Sequence, residues 1–218
     1  MADAAQSAEA QTLSGDASLV LPEFDAPPSV PGGLIREWLA SAVARQVREP
    51  YAAVLATADA EGRVSSRVLL VKDADDRGLI FTSSSGSRKG QDLAANPWAS
   101  LTFYWRETLQ QLTVQGSVEL LGAQESDELF AHRPPAAQAA SAVSRQSRPL
   151  VDEQELRRRA EDAVTAGAGI ARPADWTGYR LVPRCVEFWY GSPDRMHRRL
   201  RYDRTDEAGT WSHQRLQP

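Results

Sequence analysis

The sequence has 218 residues, 42% of them hydrophobic, with a mean hydropathy of -0.44. That is enough chain for one domain with its own core, and no apolar run nears the roughly 20 residues of a membrane helix. The formal net charge of -4 gives no general attraction to nucleic acid or to a membrane, so any anion site has to come from a local basic cluster.

Residues 1–28 are rich in Ala, Ser, Gln, Asp and Pro. They are expected to be a disordered tail or, over residues 22–28, an extended arm, which leaves 29–218 as the folded domain. No basic region followed by an apolar stretch opens the chain, so no signal peptide is expected. Leu34, Ile35, Trp38, Leu39, Ala42, Val43 and Val47 recur at helical spacing, which predicts a helix over 31–49 that ends at Pro50. Strands are expected at 52–58, 64–72 and 79–82, with polar turns at 59–62 and 73–78. A Ser/Gly loop, 83–87, leads into a short helix at 88–95 closed by Asn96-Pro97. Strands at 98–105 and 110–121 follow, then helices at 123–131 and 152–166, the second opened by Asp152 and Glu155 at capping-box spacing. Strands at 179–182, 185–190, 198–203 and 210–216 end the chain. This order predicts a mainly β barrel or sandwich with peripheral helices, not alternating βαβ units.

Several chemistries find no support. His132, His197 and His213 are scattered, and no clustered Cys/His spacing exists, so no metal is expected. GxSxG, GxGxxG and P-loop motifs are absent. The single cysteine, Cys185, cannot form an internal disulfide and fits the reducing cytoplasm. The Arg157-Arg158-Arg159 run reads as a solvated face paired with nearby acids.

Two groups of residues stand out. Arg67 and Lys72 bracket an apolar strand, and Arg88 and Lys89 begin the helix after the Ser/Gly loop, close to Thr82, Ser83 and Ser87. Free N–H groups, a positive dipole end and hydroxyl donors are how a phosphate site is built without a P-loop. Cations there oppose the helix dipole unless an anion is present. Taken alone, the pattern also suits a solvated loop. The second group is Glu187-Phe188-Trp189-Tyr190-Gly191 followed by Arg195-Met196-His197-Arg198-Arg199. It suits either a ring-binding site with cations at the ring's electron-rich edge or a core strand with a basic loop.

At this point a resemblance is clear. Arg67 to Lys72, Phe81-Thr82, Ser87 to Gly90, Asn96 to Ser100, Phe103 to Trp105, Gln111, Arg133-Pro134, Ser144 to Ser147, Glu187 to Trp189, Arg195 to Arg199 and the final Arg215 to Pro218 resemble the pyridoxamine 5'-phosphate oxidases in order and spacing. The match runs from about Leu34 to the C-terminus. It implies a homodimer of FMN-binding split β-barrels with FMN at the subunit interface. Carried over, Arg67, Arg88, Lys89, Gln146 and Ser147 hold the FMN phosphate and its neighbourhood. Val68, Leu69, Leu70, Lys72, Phe81 and Thr82 line the cofactor, and Gln111, Trp189 and Arg199 contact its isoalloxazine region. A cation beside that ring stabilises the charge of the reduced form. Arg195 and His197 are the implied catalytic pair on the flavin face.

The implied substrate set is Lys72, Leu129, Arg133, Ala137, Arg195 and His197. Vitamin B6 oxidases grip the substrate phosphate with a Lys, a Tyr, an Arg and a Ser. Lys72 and Arg133 remain, whereas Leu129 and Ala137 stand at the Tyr and Ser positions. Each lost hydrogen bond to a charged group is expected to weaken a dianion site by roughly 1–3 kcal/mol. An apolar pocket that keeps two cations suits a flat carboxylated ring. The stretches 104–108, 142–147, 200–204 and 215–218 are most similar to the phenazine-biosynthesis branch, while Lys72 and Arg88 look more like the vitamin B6 branch. The resemblance therefore implies a cytoplasmic FMN-dependent oxidase that dehydrogenates reduced phenazine carboxylates, small aromatic precursors, with O2 as acceptor. A pyridoxine/pyridoxamine 5'-phosphate oxidase is the alternative, and a non-catalytic flavin-binding protein the third.

Overall fold

A computed structural model of the chain describes residues 14–166, 169–205 and 209–218. Its helices are α1 (Pro31–Ala44), α2 (Arg88–Ala95), α3 (Ala123–Ala131), α4 (Pro135–Val143) and α5 (Glu153–Thr165). Its strands are β1 (Ala52–Ala58), β2 (Val64–Leu70), β3 (Asp73–Ala74), β4 (Leu79–Ser84), β5 (Trp98–Trp105), β6 (Gln110–Leu120), β7 (Trp176–Tyr190), β8 (Arg198–Arg204) and β9 (Trp211–Leu216). The strand order is β2-β1-β5-β6-β7-β4-β3, with β8 on β7 and β9 on β8. The chain divides into two compact units, one of Met1–Pro50, Thr102–Val114 and Cys185–Pro218, the other of Tyr51–Leu101 and Gln115–Arg184.

In the first unit, α1 buries Leu34, Ile35, Trp38, Leu39 and Ala42 on one stripe. Trp38 meets Phe188 edge-on at 4.9 Å, and Phe188 meets Tyr202 in the same way at 6.0 Å. Burying such side chains stabilises by roughly 1.5–3 kcal/mol each. The helix closes at Ala44, before the expected Glu49. Gln46 takes a left-handed φ of 58°, its N–H reaches Val43 and the Val47 N–H reaches Ala42. This is a Schellman stop made without glycine. Strands β7, β8 and β9 form an antiparallel meander in register from Cys185↔Asp203 to Tyr190↔Arg198 and from Arg199↔Leu216 to Arg204↔Trp211.

Of the segment expected as tail or arm, residues 1–13 lie outside the described residues. Residues 14–28 are anchored at several points. Pro22–Phe24 is a 3-10 turn with Phe24 buried, and the Glu23 carboxylate accepts from Trp38 Nε1 at 2.6 Å.

The second unit carries the β1–β2 hairpin, paired from Ala52↔Leu70 to Ala58↔Val64. Asp59 Oδ1 accepts from the N–H groups of Glu61 and Arg63, which fixes the turn. Strand β4 pairs with the first half of β7, Leu79↔Leu181 to Ser84↔Trp176. Asp73–Ala74, expected within a turn, pairs with Ile80 and Leu79. The two strands expected at 179–182 and 185–190 are one, β7, which runs through Pro183. Proline supplies no ladder N–H, and a β-carbon on Gly116 would lie 1.9 Å from the Val182 oxygen, so glycine admits the close approach there. Helix α4 was not expected. Pro135 at its first turn starts a helix as readily as it interrupts one.

Candidate functional site

The cation cluster lies in the second unit and is built on a strand hairpin and a helix start. Period-two alternation on β2 puts Ser65, Arg67 and Leu69 on one face and Val64, Ser66, Val68 and Leu70 on the more exposed one. Thr57 of β1 sits opposite Ser65 and Leu55 opposite Arg67. Arg67 donates to Leu55 O (3.2 Å), Thr57 Oγ1 (2.8 Å) and Ser65 Oγ (2.6 Å). Buried Asp92 of α2 accepts from Thr57 and Ser65 and lies 3.9 Å from the guanidinium. The guanidinium is thus locked in place yet only loosely paired.

Ser87 caps α2 by accepting from the Gly90 N–H. Lys89 in the first turn is only 8% exposed. Its Nζ donates to Ser83 Oγ (3.0 Å), Ser87 Oγ (3.4 Å) and Gln146 Oε1 (3.2 Å). Its partners are neutral, and among the described residues no carboxylate pairs with it. The Arg88 N–H donates to Ser147 Oγ, and Ser147 holds a left-handed φ of 69°. A β-carbon on Gly90 would lie 2.5 and 2.6 Å from the carbonyl oxygens of Ser85 and Ser84, so only glycine lets the helix sit this close to the loop. Burial and the Arg67 charge push the Lys89 ammonium below its ordinary value. Burial, together with Arg88, does the same to Arg67 against the opposing pull of Asp92. Crowded, desolvated cations held by neutral partners are the chemistry of an anion cradle.

Beside it, a cavity of about 240 Å³ is lined by Thr82, Ser83, Arg133, Ser141, Gln146 and Trp176, among others. The Arg133 guanidinium lies over the Trp176 ring at 5.1 Å and over Phe130 at 5.6 Å, and donates to Ser141 Oγ at 2.7 Å. Desolvation and the Arg133 charge lower Lys72. Leu129 reaches towards the Gly178 backbone, and Ala137 is half-buried on α4. Neither offers a donor. Phe81 is fully buried and stacks at 5.2 Å on Tyr179, its register partner on β7, so its side chain offers no face to a ligand.

The first unit holds the other group. Arg199 makes a two-pronged pair with Glu187 at 2.8 and 3.0 Å. Trp189 packs on the His197 ring at 4.8 Å. The Ser192 N–H donates to His197 Nδ1 at 3.0 Å, so in the neutral imidazole the ring proton is assigned to Nε2. Arg195 holds a left-handed φ of 69°, uncommon for a residue with a side chain. Gln111 is half-buried on β6. Burial pushes the Cys185 thiol up to about 11, so it is protonated near neutrality and is no nucleophile. Among the described residues no group of three or more His, Cys, Asp or Glu is placed to hold a metal, and no helix is long and apolar enough to cross a membrane.

The structure thus gathers Arg67, Arg88, Lys89, Gln146 and Ser147 into one cradle, and Trp189, Arg195 and His197 around one hairpin loop. Sequence reasoning passed over Thr57, Ser65, Asp92, Ser141 and Trp176. Thr57 had a signal, as the one polar residue of the otherwise apolar β1.

Comparison with known proteins agrees with this geometry. Residues 39–165 match the family described as pyridoxamine 5'-phosphate oxidase. Residues 176–218 match the pyridoxine 5'-phosphate oxidase C-terminal dimerisation region. A dihydrophenazinedicarboxylate synthase of Burkholderia lata is 45% identical over 208 residues, covering 95% of this chain and 97% of that protein. A pyridoxine/pyridoxamine 5'-phosphate oxidase of Paraburkholderia xenovorans is 44% identical over 182 residues, covering 83% of this chain and 85% of that protein. The solved structure of PhzG from Burkholderia lata with tetrahydrophenazine-1-carboxylic acid has a TM-score of 0.90 at 45% identity, over 94% of this chain and 100% of that one. The expected fold, mainly β with peripheral helices, is the one shared with that structure, and the chain belongs to the pyridoxamine 5'-phosphate oxidase family.

Proposed function

We propose that the protein is an FMN-dependent oxidase that dehydrogenates reduced phenazine carboxylates towards the aromatic ring. The substrate gives up two electrons and two protons, and O2 takes them to become hydrogen peroxide. The observation that carries this reading is the pocket around Arg133. A guanidinium lies over Trp176 and is tethered by Ser141, and Leu129 and Ala137, which stand at the family's phosphate-gripping Tyr and Ser positions, supply no hydroxyl. The far end of a flat carboxylated ring fits an aromatic wall with a fixed cation. A phosphate dianion would miss two donors there.

The cradle's donors fit FMN. Arg67, Arg88, Lys89, Gln146 and Ser147 would hold its phosphate end, and the backbone of Val68, Leu69, Leu70, Phe81 and Thr82 would run along it. Gln111, Trp189 and Arg199 would contact the isoalloxazine, within a homodimer that shares the cofactor. Bound FMN supplies the two-electron acceptor that O2 regenerates. Lys72 and Arg133 would hold the far end of the substrate. Arg195 would anchor the carboxylate through a two-pronged hydrogen bond. His197, with Nδ1 engaged, would present Nε2–H as a donor to the ring. Aromatisation provides much of the driving force, so positioning is the main demand on the protein. The unpaired Cys185 thiol fits the reducing cytoplasm.

Lys72 and Arg133 together favour a second reading, a pyridoxine/pyridoxamine 5'-phosphate oxidase. Identity does not separate the two, because relatives of both kinds stand within a percentage point. Incubation with tetrahydrophenazine-1-carboxylic acid under air decides for the first reading if O2 uptake accompanies a rise in aromatic absorbance. O2 uptake with pyridoxine 5'-phosphate alone decides for the second. Yellow protein without O2 uptake on either leaves only a flavin-binding role.

A further inference from the structure

The loop 191–197, which carries Arg195 and His197, joins β7 to β8 and is closed by the register pair Tyr190↔Arg198. Its interior is ordered by its own bonds. The Ser192 hydroxyl and the Met196 N–H both donate to Asp194 Oδ1, and the His197 N–H donates to Arg195 O. The loop is placed in its unit at its two ends, where the Gly191 N–H also donates to Leu109 O and the His197 ring packs on Trp189. Both side chains of the closing pair lie on the same face, as cross-strand partners do, and both are gripped by the same N-terminal segment. The Tyr190 hydroxyl donates to Asp16 O (3.2 Å) and accepts from the Leu19 N–H (3.0 Å). Arg198 donates to Asp25 Oδ1 (2.7 Å) and Leu21 O (3.5 Å) and lies over the Phe24 ring at 4.8 Å.

The segment is itself tied down along its length. The Asp16 N–H donates to Glu107 O, and a β-carbon on Gly15 would lie 2.1 Å from Arg106 O. Phe24 is 1% exposed and has Arg215 on it as well, with Arg215 Nη1 donating to Phe24 O at 2.7 Å. Tyr202 Oη donates to Pro28 O. The grip on the loop thus comes from a fixed object.

We infer that residues 16–25 form a strap that positions the 191–197 loop, with Tyr190 and Arg198 as positioning residues for the oxidation. This rests on the reading that Arg195 and His197 meet the substrate. Loosening either end lets Arg195 and His197 move together while the cation cradle keeps its own bonds. The strap therefore acts on turnover and not on cofactor affinity, since misplacing a positioned group by about 1 Å costs roughly 100-fold in rate.

The test uses the full chain loaded with FMN and tetrahydrophenazine-1-carboxylic acid as probe. Tyr190→Phe keeps the ring and removes only the hydroxyl. It lowers kcat about tenfold, leaves the FMN dissociation constant within twofold, and raises amide hydrogen exchange in the 191–197 peptide. Deleting residues 2–20 does the same, and adds little on top of Tyr190→Phe because both remove one link. Arg198→Ala lowers kcat, and Arg198→Lys, which can still reach Asp25, recovers part of it. Wild-type kcat and exchange in Tyr190→Phe, with Arg195→Ala inactive, overturn the strap. So does a double variant whose loss is the full product of the two single losses. Wild-type turnover in Arg195→Ala instead overturns the underlying assignment of the loop to the substrate.

Discussion

Lys89 gives the sharpest test of the cradle, through Lys89→Met. Methionine keeps the unbranched stem and removes the charge, so little volume is lost at a position only 8% exposed. The three acceptors do not become orphans. Ser83 and Ser87 are already 3.3 Å apart, Ser83 donates to Gln146 Oε1 at 3.3 Å, and Ser87 donates to Ser84 O at 2.7 Å. Flavin-free protein thus sheds a desolvated cation without leaving a hole or an unpaired group, and its thermal midpoint stays level or rises. FMN loses a charge-assisted bond to its phosphate, roughly 1.5–3 kcal/mol, or about 10- to 150-fold in dissociation constant. The pH dependence follows. The Lys89 pKa is lowered from 10.5 in the folded protein, so between the lowered value and 10.5 the unfolded chain binds more protons. Stability of the flavin-free protein therefore rises with pH across that window, while FMN affinity falls as the ammonium is lost. Lys89→Met removes this titration from both curves. Flavin fluorescence titration reads the affinity, and a dissociation constant within twofold of wild type refutes the cradle.

Other outcomes follow from the same geometry. Gly90→Ala drives a β-carbon against the Ser84 and Ser85 carbonyl oxygens; it lowers the thermal midpoint and weakens FMN binding more than tenfold by the same titration. Leu129→Tyr with Ala137→Ser puts back the two hydroxyls of the vitamin B6 oxidase pattern, and kcat/KM for pyridoxine 5'-phosphate in an O2-uptake assay rises about tenfold or more. Light scattering of the loaded protein gives about twice the 23.9 kDa chain mass. Flavin released by denaturation elutes as FMN.

The sequence carried the β-rich order and most element ends where punctuation is strong. Asn96-Pro97 closes α2, and Asp59 to Gly62 turns β1 into β2. It failed where proline is ambiguous. No helix was expected at Pro135, which begins α4, and two strands were expected on either side of Pro183, which sits inside the single β7. It failed again at Gln46, because a left-handed stop without glycine leaves no compositional mark.

The candidate site divides in the same way. Arg88 and Lys89 at a helix start are visible as an anion motif. That Gln146 closes on Lys89 from 57 residues away was reachable only through the family resemblance, not from the local pattern. Nor does the sequence tell that Ser141 tethers Arg133 over Trp176, since that depends on α4 folding back beside a strand some forty residues later. The Arg195 and His197 loop was visible as chemistry. Its attachment to residues 16–25, some 170 positions earlier, belongs to tertiary structure alone.

The most direct test of the central claim is a comparison of kcat/KM for O2 uptake by the wild-type dimer on tetrahydrophenazine-1-carboxylic acid and on pyridoxine 5'-phosphate. If the Arg133 pocket is built for a flat carboxylate, the phenazine substrate is favoured at least tenfold. Faster oxidation of pyridoxine 5'-phosphate contradicts the account and makes the protein a vitamin B6 oxidase.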